Sequence, residues 1–173
     1  MKIQTKEKIT QSLITLLQEK EYNEITIKEI TNKAEVNRST YYRNFKSKED
    51  IIIFNLNKIM KEYTNTYKTI KEKNYENYLK IIFETFYNYK EFLLTIYKKE
   101  QIYLLQEVLN KHFKNKLNQT ENKLKKYHIY YHIGGIYNFI ICWLENDMKD
   151  TPEKLTKITM QIISKEDKIN LKN

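Results

Sequence analysis

Hydrophobic residues recur three and four positions apart along most of the chain, which is the spacing of amphipathic helices. Near the N-terminus, Ile9, Leu13 and Leu17 follow this spacing and predict a first helix over about residues 6–20. Most of the positions between them are polar, so we expect this helix to bury one face and expose the other.

Two short helices are predicted next, because each has a polar residue placed to cap its first turn. Thr26 and Glu29 have the capping-box spacing, and Asn37 is placed to cap a third helix that runs to about Asn44. A short helix, a tight turn and a second short helix have the spacing of a helix-turn-helix.

Longer helices are predicted in the rest of the chain. Ser47 and Asp50 form another capping-box pattern, and Pro152 suits the first turn of a helix, where its missing N–H costs nothing. The apolar stripes predict helices over residues 48–71, 75–89, 91–117 with a break near 99–101, 127–145, and from 152 onward.

The composition favours helices over sheets. Two glycines and one proline among 173 residues are too few for a sandwich or a barrel, which need frequent turn residues. We therefore predict an all-α fold of about nine helices. Residues 1–47 would form a three-helix head with the helix-turn-helix, and residues 48–173 a helical body.

Net charge is a weak indicator of function in this chain. The total is +9, but residues 1–50 hold 10 basic and 8 acidic residues, and the other residues hold 21 and 14. The excess therefore lies mostly outside the predicted helix-turn-helix. The N-terminus lacks the apolar stretch of a secretory signal, and the longest apolar run, residues 136–144, is too short to span a bilayer of about 30 Å. We expect a cytoplasmic protein that does not bind membranes.

The positions of the arginines are more informative than the total charge. The chain has 31 basic side chains but only two arginines, Arg38 and Arg43, and both lie in the third predicted helix. A guanidinium can engage guanine or a phosphate with two hydrogen bonds at once, which lysine cannot do. Residues 36–48 carry four positive charges and no acid. This stretch is a candidate for DNA binding, although a polar-faced helix is more commonly just a solvated surface.

The run from Ile25 to Ile51 resembles the DNA-binding segment of the tetracycline-repressor (TetR) family. The shared features are a threonine that opens the second helix, an alanine at its end, a valine in the turn and a polar–aromatic pattern that follows: Thr26, Ala34, Val36, Thr40, Tyr42, Phe45 and residues 46–49. The family usually has glycine before the valine, and here Glu35 takes that position.

This resemblance implies that the partner is double-stranded DNA. By position, it implies phosphate contacts from Thr26, Thr40, Tyr42 and Lys48, and candidates for base readout in Arg38, Ser39, Arg43 and Asn44. Asn37 could contact DNA or only cap its helix, and Lys46 could face a phosphate or only solvent.

The resemblance also implies a homodimer, formed through the last two long helices and bound to a palindromic operator. Gly134 and Gly135 are adjacent in mid-helix, where each costs about 1 kcal/mol against alanine, so close approach of a partner helix is favoured over a kink or a break. The candidate interface residues are Gly134, Gly135, Asn138, Ile141, Leu155, Ile158 and Ile162. The C-terminal pattern more loosely resembles a TetR branch common in low-GC Gram-positive bacteria.

The effector, a small molecule or a protein, is not identified by the residues. Five aromatic residues are candidates for a pocket, although such stripes more often form plain core: Tyr63, Tyr67, Phe83, Phe86 and Tyr103. Repression is the family's usual mode and is the expected one. The alternatives are a regulator or activator controlled by a protein partner, or a helical adaptor without specific DNA binding.

Other chemistry finds little support in the sequence. His128 and His132 have a metal-binding spacing, but Ile129 stands where a zinc hydrolase needs glutamate, so we expect surface or interface histidines. Cys142 is the single cysteine and is expected to be a buried, inert thiol. Two glycines cannot build a phosphate-binding loop. We expect no enzyme, no cofactor and no metal.

Overall fold

The computed structural model describes residues 2–117 and 122–163, and within them it confirms an all-helical fold without strands. Nine α-helices and one short 3-10 helix, Tyr22–Glu24, make up this part of the chain. The α-helices are α1 Lys2–Glu19, α2 Ile27–Lys33, α3 Arg38–Asn44, α4 Lys48–Thr69, α5 Tyr75–Asn88, α6 Lys90–Lys98, α7 Tyr103–Leu117, α8 Lys123–Glu145 and α9 Pro152–Ile162. Residues 118–121 and 164–173 of the predicted body lie outside the described residues. No helix within the described ranges is long and apolar enough to cross a membrane.

The helix starts follow the capping residues closely. The Thr26 hydroxyl accepts from the Glu29 amide while the Glu29 carboxylate accepts from the Thr26 amide, so the predicted capping box is present. Asn37 caps α3 as predicted. Ser47 caps α4, but the Asp50 carboxylate accepts from the amide of Lys46 and forms no box with Ser47.

One continuous apolar core runs through the head and the body. In the head, α1 packs against α2 and α4; in the body, α4 packs against α5 and α7, α5 against α9, and α7 against α8. The helix α4 is thus the element that both parts share. Its inner face is closed by fully buried aliphatic residues such as Ile51, Leu56 and Ile59.

Three helices end in a left-handed residue that is not glycine. Glu35 after α2, Glu100 after α6 and Asp147 after α8 have φ values of 54°, 58° and 53°. Each is followed by a residue whose amide donates to a carbonyl five positions earlier, as in the contact from Val36 to Thr31 at 3.0 Å. These are Schellman motifs, in which glycine is the residue normally preferred.

Helix α8 differs from the sequence predictions in three respects. It begins at Lys123, four residues before the predicted start. It runs without a break through Gly134 and Gly135, which agrees with the sequence analysis. Cys142 is exposed, so the predicted buried thiol was wrong. Among the described residues, one face of α8 packs against α5, α6 and α7. Cys142 lies on the opposite, exposed face.

His132 is the third difference, because it is buried inside the chain and does not lie at its surface. Its two ring nitrogens lie 3.0 Å from the Tyr75 hydroxyl and 2.6 Å from the Tyr78 hydroxyl, and both tyrosines belong to α5. The histidine therefore satisfies two buried hydroxyls and links α8 to α5. His128, one turn earlier, is only half-buried.

Candidate nucleic-acid interface

The third helix of the head is fixed by its aromatic inner face. Tyr41 is fully buried, and its ring contacts Phe45 with 6.3 Å between the ring centres. Phe45 in turn packs edge-on against Phe54 of α4 at 5.7 Å. Burial raises the pKa of Tyr41 to about 12. Because this face is held in the core, the opposite face of α3 points into solvent.

The exposed face of α3 carries most of the predicted DNA contacts. Asn37, Arg38, Ser39, Tyr42, Arg43 and Lys46 are all exposed, and Tyr42 keeps 60% of its surface although it is a large aromatic residue. The Asn37 side chain accepts from the Thr40 amide and the Ser39 hydroxyl, both at 2.7 Å. Asn37 thus caps the helix, and its carbonyl oxygen is already engaged.

The two arginines on this face have no acidic partner among the described residues. Arg43 lies along the helix, with Nε donating to the Ser39 carbonyl at 3.3 Å and Nη2 to the Thr40 hydroxyl at 3.0 Å. These contacts hold the guanidinium over the first turn and leave several of its five N–H groups free. Arg38, at the first position of α3, makes no hydrogen bond within residues 2–117 and 122–163.

Three of the predicted contacts are less accessible. Thr40 and Asn44 are half-buried, and the Asn44 amide donates to the Thr40 carbonyl at 2.8 Å while its own oxygen is buried without a partner. Lys48 is turned inward: its Nζ donates to the carbonyls of Tyr22 and Ile25, the latter at 2.9 Å. Burial lowers the pKa of Lys48.

The base of the head contains a network that the sequence did not reveal. The Tyr22 hydroxyl donates to the Glu49 carboxylate, and the Lys48 Nζ lies 4.2 Å from the centre of the Tyr22 ring. Burial opposes ionisation of Glu49, but the hydrogen bonds from Tyr22, from Ser47 and from its own backbone amide, together with the nearby Lys48 charge, outweigh burial, so the pKa of Glu49 is lowered. The 3-10 helix is thereby attached to the first turn of α4. The usable sequence signal was Glu24 three residues after Glu21, which form a capping box.

Thr26 is exposed at the start of α2, beside a charged pair. Hydrogen bonds from Lys20 and from Thr26 hold the pKa of Glu29 at about 2, so this carboxylate is ionised at neutral pH. The Thr26 hydroxyl donates to Glu29 at 2.9 Å, and its amide does the same. The amides at this helix start are therefore largely satisfied within the chain.

The five aromatic residues predicted for an effector pocket lie mostly in the packed core. Phe83 and Phe86 are fully buried, Tyr63 is nearly so, and Tyr67 is half-buried, whereas Tyr103 is exposed. None of them lines the cavity beside Gly134 and Gly135 or the cavity beside Asn55.

Four of the seven residues predicted for the dimer interface, Gly134, Gly135, Asn138 and Ile162, line one open surface on α8 and α9. Asn138 and Ile162 are exposed, Gly134, Gly135, Ile141 and Ile158 are half-buried, and Leu155 is buried within the chain itself. A Cβ atom added at either glycine would have no atom within 4 Å. The glycines therefore border a notch of about 410 Å³ that Tyr131 and Phe139 also line.

Exposed apolar side chains are concentrated beside this notch. Four of the nine exposed large hydrophobic residues in the described chain lie within two turns of α8: Leu124, Tyr127, Tyr130 and Tyr131. Together with Gly135, Asn138 and Cys142 they continue at helical spacing along one side of α8, which we call the α8 stripe. A patch of this kind on a single chain is typical of a protein-binding surface.

Possible metal ligands do not cluster in the described part of the chain: no group of three or more histidine, cysteine or acidic residues could hold an ion there.

Comparison with known proteins agrees with this architecture. A family model described as "Bacterial regulatory proteins, tetR family" matches residues 9–53, and one described as "Transcriptional regulator C-terminal region" matches residues 73–165. Among solved structures, a chain titled "Dihydroxyacetone kinase operon activator DhaS" is similar over 92% of each chain, with 18% sequence identity and a TM-score of 0.53. At this identity the likeness shows the fold alone. No curated protein matches the chain.

Proposed function

Because the chain belongs to the TetR family of transcriptional regulators, we propose that it binds a palindromic operator as a homodimer and represses transcription until an effector releases it. In this proposal residues 1–47 bind DNA, residues 48–173 form the dimer and receive the signal, and the protein acts in the cytoplasm. No catalytic step is involved.

The observation that carries the proposal is the exposed face of α3. It presents Arg38 and Arg43 without acidic partners, while the opposite face is locked in the core by Tyr41 and Phe45. A helix with one anchored face and one polar, cationic face can enter the major groove, where its N-terminal residues meet base edges. Arg38 is the best placed of these residues, because it begins the helix and its side chain makes no hydrogen bond or ion pair within the described chain.

The exposure of the side chains refines the proposed roles. Arg38, Ser39 and Arg43 are assigned to base readout, with Asn44 as a shorter-reaching candidate. Thr26, Thr40 and Tyr42 are assigned to phosphates, which fix register and supply the salt-dependent part of the affinity. Lys46 is exposed and joins this phosphate group, whereas Asn37 acts mainly as the helix cap.

Lys48 has a second role in this proposal. Its ammonium group is engaged with two backbone carbonyls, so it holds the head against α4. An ammonium has three donors, and the third remains available for a phosphate.

Dimerisation through the α8 stripe is the second part of the proposal. A single short helix gives poor affinity, and two heads related by a two-fold axis read two half-sites of a palindrome. The stripe is mostly apolar, and it contains Gly135 and borders the notch that Gly134 and Ile162 also line, so a second copy can approach the backbone of α8 closely. Because a two-fold interface pairs a surface with itself, Tyr131 of one copy is suited to fill the notch of the other.

The DNA-binding half is tested by fluorescence anisotropy on DNA from the promoter region of the protein's own gene, at several salt concentrations. Arg38→Ala and Arg43→Ala should each weaken binding to that DNA about 10-fold or more, as expected for loss of a bidentate base contact of about 1–3 kcal/mol. Lys80→Ala, which removes one exposed positive charge from α5, is the matched control and should change little. Equal binding to scrambled DNA, unchanged in the arginine variants, would instead favour a helical adaptor.

The dimer half is tested by sedimentation and by a pair of glycine substitutions. Gly135→Ala should preserve the dimer or weaken it slightly, and it should stabilise the helix by about 1 kcal/mol. Gly135→Gln fits the open space of a single chain but would obstruct a partner helix, so it should yield folded monomers with weak operator binding. A dimer of unchanged affinity in Gly135→Gln would place the interface elsewhere.

A further inference from the structure

A second cavity, distinct from the notch, opens beside the contact between α1 of the head and α4 and α6 of the body. It measures about 550 Å³ and lies between α1 with α4 on one side and the α5–α6 junction on the other. This volume is within the range of sites that bind small molecules. We call it the junction cleft.

A buried amide faces this cleft without a partner. Asn55 of α4 is only 8% exposed, lines the cleft and makes no hydrogen bond among the described residues. Asn57, two positions later, is exposed and donates to the Ile53 carbonyl at 2.8 Å. The amide atoms of Asn55 are not among the polar atoms sealed from solvent, so they are open to the cleft and can exchange water for a ligand that enters it.

Three further amides line the same space. Gln11 and Gln18 come from α1 and Asn88 from the end of α5, and none of their side chains hydrogen-bonds within residues 2–117 and 122–163. Four carboxamides therefore converge from three helices. Each offers two N–H donors and one carbonyl acceptor, which is the combination that a hydroxyl group can satisfy in both directions.

The charged groups around the cleft are already engaged or balanced. Lys58 pairs with Glu7 at 3.0 Å, and Lys90 donates to the Met148 carbonyl at 3.0 Å. Glu91 adds one carboxylate to the lining, and Ile14 contributes an apolar wall. Neither sign of charge dominates, so the cleft is suited to an uncharged ligand with several polar groups.

We propose that the junction cleft binds a small, uncharged, hydroxyl-rich molecule, a polyol or a monosaccharide, through Asn55, Gln11, Gln18 and Asn88. The inference rests on the proposed function in one respect, since it makes this ligand the effector. The ligand contacts α1 and Asn55 of α4 on one side and Asn88 at the α5–α6 junction on the other, and it binds best at one position of that junction relative to α1. It therefore shifts the protein toward that arrangement and changes the spacing of the heads on DNA.

The experiment measures ligand binding to the full chain without DNA, by calorimetry and by thermal unfolding. The probes are glycerol, mannitol, glucose and galactose, with glucose 6-phosphate and gluconate as charged comparators. At least one uncharged probe should bind saturably and raise the melting temperature. Asn55→Leu should weaken that binding at least 10-fold, while Asn57→Leu, the matched control on the same helix, should remain within twofold of the unsubstituted chain.

Folding of the variants does not obscure the result. Asn55→Leu removes a buried amide that lacks a partner, so the unliganded variant should be at least as stable as the original chain. Gln11→Ala lies at the exposed side of the cleft and should also weaken binding. The proposal is overturned if no uncharged probe binds saturably, if both variants bind as the original does, or if the charged comparators bind more tightly.

Operator binding is measured separately, so the two proposals fail independently. If the chain binds a probe but not operator DNA, the proposed regulatory function is contradicted and the proposed ligand site in the cleft still stands. A chain that binds operator DNA but none of the uncharged probes contradicts the cleft alone.

Discussion

Replacing Glu35 with glycine should stabilise the protein, although it deletes a whole side chain. Glu35 is exposed, has a φ of 54° and makes no side-chain hydrogen bond or ion pair among the described residues. It occupies the position after α2 where a Schellman motif favours glycine. The substitution thus removes backbone strain and sacrifices no contact.

The magnitude follows from two opposing terms. The left-handed conformation costs a residue with a Cβ about 1–2 kcal/mol, whereas glycine adds freedom to the unfolded chain worth about 0.5–1 kcal/mol. The difference is a gain of about 0.5–1 kcal/mol in the free energy of unfolding. Glu35→Ala is the matched control, because it removes the same charge from the C-terminus of α2 but keeps the Cβ and the strain.

The assay is urea denaturation followed by circular dichroism, at one fixed protein concentration because a dimer's stability depends on it. With a slope of about 2 kcal/mol per molar urea, glycine should move the midpoint upward by about 0.3–0.5 M relative to alanine. Identical midpoints for Glu35→Gly and Glu35→Ala would refute the reasoning, since they would show that the left-handed turn is not strained.

Four further outcomes are expected in the same denaturation assay. Glu100→Gly should raise the free energy of unfolding by an amount similar to Glu35→Gly. A lower free energy of unfolding would contradict the assignment of a Schellman motif at Glu100. Lys48→Met should destabilise the protein by about 1 kcal/mol, because two carbonyls lose a charged donor; weaker DNA binding at unchanged stability would mean that Lys48 serves phosphates only. Tyr41→Phe should be neutral or stabilising by up to about 1 kcal/mol, since the buried hydroxyl has no partner among the described residues, and a larger loss would reveal one. His132→Leu should lower the free energy of unfolding by about 2–3 kcal/mol, because the Tyr75 and Tyr78 hydroxyls each lose a hydrogen-bond partner. His128→Leu should lower it by less than about 0.5 kcal/mol, and equal losses in the two variants would show that the His132 hydrogen bonds do not stabilise the fold.

Capping residues predicted the helix starts that they mark, whereas the starts of α1 and α8 were each predicted four residues too late and features that depend on neighbouring helices were missed. Thr26, Asn37 and Pro152 mark helix starts through their own side chains or ring, so the sequence alone locates them. The sequence does not show which face of α8 is buried, because the helix is apolar on most sides and its pattern does not distinguish the inner face from the outer. The burial of His132 and the exposure of Cys142 follow from which neighbours that helix meets.

The candidate site shows the same division. The exposure of Arg38 follows from its position at the start of a helix whose other face is aromatic. The inward turn of Lys48 depends on the carbonyls of the 3-10 helix at Tyr22–Glu24, which no periodic pattern predicted. The junction cleft could not be predicted at all, because its four amides come from three helices that are distant in sequence.

The attachment of the head to α4 through Lys48 and the Tyr22–Glu49 contact has a geometrical consequence. Helix α4 has 22 residues and, at about 1.5 Å per residue, is a rod of about 33 Å. If α4 tilts by only about 5° around its C-terminal end in the body, its N-terminal end at the head moves by about 3 Å. The head moves with it as long as the attachment at Lys48 does not bend. That displacement is close to the rise of about 3.4 Å for one step of a DNA strand. In the proposed complex with DNA, a tilt of this size would therefore be enough to move α3 by about one base pair.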